Sequence, residues 1–207
     1  MKTCRLVWLS LLVGLGLWTG LGWAQQPKPG GTLRIALPGD PAFYNAHQGP
    51  AMGAQAFETS NNIYNSLLST TPPPELKIIP DLAKSWEVLD EGRTYVFHLH
   101  EGVTFHDGTD FDAQAAKWNI DRIIDPEVKS WIRPYYEAIE QVEAVDKYTL
   151  RIRLKEPSFA LPIALGGYYQ GILMASPKAF ETYGQDWLGI PSARAPSNSR
   201  NGSQASG

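Results

Sequence analysis

Between Trp86 and Ile124 the spacing of apolar residues changes period. Trp86 and Val88 alternate with polar neighbours and run into Asp90-Glu91-Gly92, a turn signal between two strand-like runs. Tyr95, Phe97 and Leu99 then alternate with Val96, His98 and His100, which predicts a strand with one apolar and one mostly polar face. Asp107-Gly108 marks a second turn. Beyond it the period lengthens: Ala113, Ala116, Ile120, Ile123 and Ile124 recur at helical spacing. Asp112 stands at the N-cap, where its carboxylate can accept from first-turn amides, and Pro126 lies past the end. A hairpin and a helix of this kind bury one another's apolar faces, each isoleucine contributing about 1.5–3 kcal/mol. Trp86, Tyr95, Phe97 and Ile120 are expected inside, with His98 and His100 on the wetter strand face.

The flanking patterns are shorter. Thr32 to Leu37 reads as a buried strand, followed by an irregular loop from Pro38 to Pro50. Ala51 to Ser69 predicts a helix with Phe57, Ile63, Tyr64, Leu67 and Leu68 as its apolar stripe, although Asn61-Asn62 is poor helix material. Thr70 to Pro74 breaks the chain before a strand within Leu76 to Leu82. Val142 to Val145 and Thr149 to Leu154 form a strand pair joined by Asp146-Lys147. Pro157 to Leu165 carries a helical pattern, and Gly166-Gly167-Tyr168-Tyr169 ends it. Ile172 to Ala175 reads as a strand, and Ser176 and Pro177 open a last helix through Tyr183. The fold class is α/β, with strands and helices mixed along one chain.

The order W-x-V-x-D-x-G-x-T-Y-x-F-x-L-x-x-G-V-x-F-H-D-G, then F-D-A and a helix, carries a resemblance. Its residues here are Trp86, Val88, Gly92, Thr94, Tyr95, Phe97, Leu99, Gly102, Val103, Phe105, His106, Asp107, Gly108 and Ala113. The pattern resembles the family 5 extracytoplasmic solute-binding proteins of ABC importers, which include oligopeptide, dipeptide, glutathione and nickel binders. Pro80, Leu82, Ala83 and Trp86 match a further family signature, and Gly30-Gly31-Thr32-Leu33 matches the usual opening of the mature protein. His100 and Asp112 stand where the family often has Arg and Thr. Tyr44-Asn45-Ala46 replaces its Leu-Asp-Pro. The resemblance implies a partial periplasmic-binding-protein type II-like fold: the N-terminal strand of lobe I plus most of the inserted extra domain, over residues 25–190. It also implies a peptide or other small solute as ligand and an inner-membrane ABC permease as partner of the intact protein.

Composition narrows the partners. A formal charge of −3 gives no basic surplus, which argues against nucleic acid. The single cysteine, Cys4, excludes a disulfide framework. Lys2 and Arg5, the apolar run from Leu6 to Trp18 and Gly22-Trp23-Ala24 read as a secretory signal peptide over residues 1–24, which places the mature chain in the periplasm. The rival reading is an uncleaved membrane anchor, since Leu6 to Trp23 reaches the length of a span.

The end of the chain has a different character. Residues 191–207 contain no large apolar side chain, which is the composition of a disordered tail. At this point the family has Pro-Ile-Gly-Thr-Gly-Pro-Phe. Written as CCC ATC GGC ACG GGC CCC TTC A and read one base later, that motif becomes Pro-Ser-Ala-Arg-Ala-Pro-Ser, the sequence of Pro191 to Ser197. The tail is therefore expected to be out of frame, and the solute-binding domain incomplete and unable to bind as written.

No G-x-S-x-G, H-E-x-x-H, P-loop or dinucleotide fingerprint occurs, so the reading is a non-enzyme without cofactor. By resemblance, the segments around Trp131 and Tyr168 approach the family's cleft, which makes Trp131, Tyr135, Tyr168 and Tyr169 candidate ligand contacts. Trp and Tyr combine large contact area with a polar edge; they serve equally well as half-buried core. Phe57 and Glu58 align near cleft-facing positions. Glu58 can meet a positive ligand group or stand solvated on its helix. His98, His100 and His106 with Asp107 allow a metal reading, but a polar strand face explains them without one, and no metal is assigned. Two alternatives remain: a nickel or metal-chelate binder of the same family, and a secreted fragment that associates through exposed apolar surface.

Overall fold

A computed structural model describes residues 34, 36, 47, 62–166, 171–184 and 196–197. The expected signal segment, and the strand Thr32 to Leu37 apart from Arg34 and Ala36, lie outside the described residues.

The alternating run does form a hairpin. β3 (Ala83–Leu89) pairs antiparallel with β4 (Thr94–Leu99), after a short ladder of β1 (Leu68–Thr70) and β2 (Ile78–Pro80). β6 (Ile139–Ala144) and β7 (Thr149–Leu154) make the second hairpin, and the sheet order is β3-β4-β7-β6, antiparallel throughout. Phe97 lies opposite Trp86 and Leu150, and Tyr95 opposite Val88 and Ile152. Side chains opposite one another share a face, so this register builds one apolar layer. Tyr95, Phe97, Leu99, Leu150 and Ile152 are wholly enclosed.

α1 (Ala113–Ile124) covers that layer with Ala113, Ala116, Ile120 and Ile123, lying over β6 and β7. Asp112 caps it, accepting from the Ala115 amide at 2.9 Å. Trp86 and Ile124 are half-buried at the margins of the core. Trp86, expected inside, is thus only partly so, and Val88 on the same strand is 41% exposed. β3 is the edge strand on the far side of the sheet from the helix, so the apolar layer runs out beneath it.

The turn between β3 and β4 requires its glycine. Gly92 has φ +94°, and a Cβ there would approach the Phe159 ring to 3.2 Å. Phe159 rests on that bare backbone, and the Ser158 amide donates to the Gly92 carbonyl at 3.0 Å. The Tyr95 hydroxyl donates to the Ser158 carbonyl at 2.5 Å, which ties the same segment to the sheet.

Three expectations need correction. The C-terminal part of the helix predicted over Ala51 to Ser69 is a turn, an extended run and β1; residues 51–61 lie outside the described residues. Leu67 and Leu68 are both buried because the chain passes between β2 and α2 (Leu161–Gly166), where the Thr70 hydroxyl meets the Gly166 carbonyl. The helical pattern from Pro157 is realised only as α2, which includes Gly166. Ile172 to Ala175 joins no ladder among the described residues, and the Asn119 side chain and the Asn65 carbonyl meet its backbone instead. Past it, α3 (Pro177–Tyr183) starts as expected, Ser176 accepting from the Ala179 amide at 3.2 Å. Within the tail, β8 (Pro196–Ser197) pairs with β5 (Thr104–Phe105).

Candidate functional site

The segment between α1 and β6 carries two of the candidate residues and folds as short 3₁₀ turns, Pro126–Val128 and Arg133–Tyr136. Arg133 fixes it to the helix: its Nε donates to the Ile124 carbonyl at 3.0 Å and its Nη1 meets Glu137 at 3.1 Å. Tyr136 is the internal anchor. Its ring is fully buried, its hydroxyl donates to the Ala164 carbonyl at 3.0 Å, and burial raises its pKa far above the ordinary phenol value.

The two candidates on this segment part company. Trp131 is half-buried and packs against the main core. Tyr135 is 52% exposed on the rim of a cavity of about 270 Å³. Leu154, Ile139 and Leu161 line that cavity, and Ser158, Ile163 and Ala164 complete its wall. Ile163 and the neighbouring Phe159 are strongly exposed. This arrangement offers an apolar recess with a phenol at its mouth, which suits an amphipathic ligand or another protein surface. Phe57, Glu58, Tyr168 and Tyr169 lie outside the described residues.

A second hollow, open and polar, lies between α1 and β6 and is bordered by Gln114, Lys117, Asp121, Glu140 and Glu143. The histidines are dispersed: His98 Nε2 sits 3.1 Å from Glu87 Oε1, while His100 and His106 are exposed. Among the described residues no group of three His, Cys, Asp or Glu side chains converges to hold a metal ion.

Of the polar groups that organise the region, Asp107 and Ser176 stand out in the sequence only as a turn residue and a cap, and Asn119, Asn65 and Asp81 do not stand out at all. Asn119 is fully buried in α1, and its amide donates to the Ala115 and Ala175 carbonyls at 2.8 and 2.9 Å. Its oxygen accepts from the Ala175 amide at 2.8 Å, so Ala175 is met on both backbone groups. Met174 donates to the Asn65 carbonyl at 2.9 Å, and the Asn65 amide reaches both oxygens of Asp81 at 3.0 and 3.1 Å. Asp107 closes the other end. It accepts from the Ser176 hydroxyl at 2.5 Å and from the Thr109 hydroxyl and amide at 2.6 and 3.0 Å. Burial resists ionisation of Asp107, but the bonds from Ser176 and Thr109 outweigh it and hold the carboxyl below the usual range. One signal was available: an asparagine in the middle of an apolar helical stripe is a poor helix former and needs a reason to be there.

Comparison with known proteins places this geometry. Residues 77–191 match the model of the bacterial extracellular solute-binding proteins, family 5 middle. The glutathione-binding protein GsiB of Escherichia coli K12 is 41% identical over 114 residues, covering 54% of this chain and 22% of that protein. The chain thus aligns with about a fifth of that relative's length. Among solved structures, AgaA of A. tumefaciens R10, in complex with agropinic acid, is similar at 25% identity with a TM-score of 0.65. The match covers 76% of this chain and 30% of AgaA. NikA of Brucella suis, in complex with Fe(III)-EDTA, is similar at 27% identity and a TM-score of 0.59, over 70% of this chain and 28% of its own. The likeness runs through the same periplasmic-binding-protein type II-like architecture in each. With the family match extending over more than half of its residues, this chain belongs to the family 5 bacterial extracellular solute-binding proteins.

Proposed function

We propose that the chain is the N-terminal part of a periplasmic solute-binding component of an ABC importer for peptides or peptide-like solutes. The observation that carries this is the 41% identity to a glutathione-binding protein within a family 5 match. Glutathione is a small peptide, and agropinic acid and EDTA, named with the similar structures, are carboxylate-bearing small molecules like it. The protein is a binder rather than a catalyst. Residues 1–24 direct export, and the intact protein hands its solute to a membrane permease.

In this reading residues 25–190 supply one wall of the cleft. Tyr135 and Trp131 contribute aromatic surface, with Phe57, Glu58, Tyr168 and Tyr169 as further contacts. A one-sided wall makes only a few hydrogen bonds, each worth about 0.5–1.5 kcal/mol. Association costs roughly 4–15 kcal/mol. On this reading one wall alone does not hold a solute at physiological levels. The family match ends at residue 191, where the reading frame is proposed to depart from the family motif.

Calorimetry of the chain against glutathione, a di- to pentapeptide mixture and Ni²⁺ tests the reading. Heats without saturation are expected. Micromolar binding of a peptide with defined stoichiometry would show a working binder. Micromolar Ni²⁺ or metal-chelate binding would favour the metal reading, which the likeness to NikA supports. DNA sequencing downstream of the Ile190 codon tests the frame directly.

A further inference from the structure

The recess beside Tyr135 has no charged side chain in its wall among the described residues, although charged residues adjoin that wall in sequence. Ile139 on β6 and Leu154 on β7 stand opposite one another in the ladder and belong to its floor. Arg153, the neighbour of Leu154, points to the other face of the sheet, where its Nε meets Glu140 at 3.1 Å. Glu137 pairs with Arg133 at 3.1 Å, and Lys155 Nζ donates to the Glu137 carbonyl at 2.6 Å. The charges of this corner are thus engaged outside the recess. Its inner hydroxyls are engaged as well: Tyr136 donates to the Ala164 carbonyl at 3.0 Å, and Ser158 Oγ accepts from the Ala160 amide at 3.2 Å. Tyr136, Ile139, Leu154 and Leu161 are buried beneath, while Tyr135 and Ile163 stand exposed at the mouth.

Such a hollow discriminates by chemistry. A charged or amide group entering it leaves water and meets no charged partner, whereas an aliphatic or aromatic group gains by the same transfer. An apolar cavity of about 150 Å³ holds a benzene ring. The recess, at about 270 Å³, therefore has room for a leucine, isoleucine or phenylalanine side chain. The backbone of that residue then lies at the mouth, where the Tyr135 phenol can donate to a carbonyl. We propose that the recess is a side-chain pocket, which selects a peptide-like solute by one bulky apolar side chain and rejects charged and amide side chains at that position. This rests on the peptide-like reading of the solute, with Tyr135 among its contacts, and adds the side chain by which the solute is chosen. It also parts this chain from the solute named for GsiB, since glutathione carries carboxylates, an amine and a thiol but no bulky apolar group. The recess alone, open on one side, binds in the millimolar range.

The test is methyl NMR on the full chain, following Ile139, Leu161 and Ile163. The N-acetyl amides of leucine, glutamine and lysine are titrated, with I163D and Y135A, both at exposed positions, as variants. The expected result is a saturable response to the leucine amide, at least tenfold tighter than to the other two. It weakens at least fivefold in I163D, read at Ile139 and Leu161, and measurably in Y135A. Responses to the three amides that coincide would overturn the proposal, as would an unchanged leucine response in I163D. If I163D does not fold, Y135A and the comparison of the three amides decide. Glutathione and trileucine, followed at the recess methyls and at the Trp131 indole, separate the two readings. Glutathione that moves the Trp131 indole, with the recess methyls blind to every amide, leaves the solute reading standing and removes this one. A leucine amide that fills the recess while neither peptide moves Trp131 does the reverse.

Discussion

The four-stranded sheet under α1 and the rim of the small recess, with Tyr135 and Ile163, are built from similar residues and behave as opposites. In the sheet, Tyr95, Phe97, Ile120 and Leu150 are fully enclosed, and the two aromatic rings stack 6.4 Å apart. On the rim, Tyr135 is 52% and Ile163 63% exposed. The residues carrying the family resemblance are largely those of the sheet and its turns. Candidate recognition chemistry lies on the rim. Family membership here is thus a statement about a core, and the solute is decided by surfaces that a core can support in many forms.

The strongest way to break the contrast is inside the sheet. Phe97→Ala is expected to cost about 3–5 kcal/mol in urea unfolding, because a close-packed layer cannot collapse into the space. Tyr95→Phe isolates the 2.5 Å bond to Ser158 and should cost far less.

Acid should weaken the region around α1 next. Burial, then the nearby Arg122 charge, push the His47 imidazole down to about 4 from the ordinary 6.5. The folded state therefore prefers the neutral ring, and its full contribution is present above pH 6.5. As pH falls from 6.5 towards 4 the unfolded chain takes up a proton that the folded chain refuses, and stability drops by roughly 2–4 kcal/mol. His47→Gln should flatten that limb in denaturation curves measured between pH 7 and 4.

Asn119→Ala should cost about 1–3 kcal/mol by stranding the buried backbone groups of Ala175. Hydrogen exchange at Ala175 would report the loss locally. The smallest effect belongs to the rim: Tyr135→Ala should change stability by less than about 0.5 kcal/mol. A large loss there would mean that the rim is core after all, and the contrast would fail.

How far the sequence could be read follows the same division. Alternation at Tyr95, Phe97 and Leu99, and helical spacing from Ala113 to Ile123, are local patterns, and both survive in the fold. Asp112 and Ser176 were legible as caps because a cap acts within one turn of chain. Trp86 is less enclosed than its spacing suggests because exposure depends on where the helix lies over the sheet, and spacing within β3 carries no such information. The helix expected up to Ser69 gave way to β1, whose partner β2 and cover α2 come from elsewhere in the sequence. Asn119 and Asp107 do their work with residues far along the chain, and periodicity is blind to them. Among the candidate ligand contacts, aromatic character alone could not separate Trp131, which packs inward, from Tyr135, which does not.

The bonds from Asn119 to Ala175 and from Asp107 to Ser176 close loops of 56 and 69 residues. Contacts that close long loops cost chain entropy before they return anything, so they form after the local ones. The hairpins and α1 can assemble from short-range contacts, while residues 171–176 must wait for a finished helix to receive them. On a folding pathway this segment is a late arrival, and on unfolding it is the natural first departure. Substitutions at Asn119 should then accelerate unfolding while leaving the folding rate nearly unchanged.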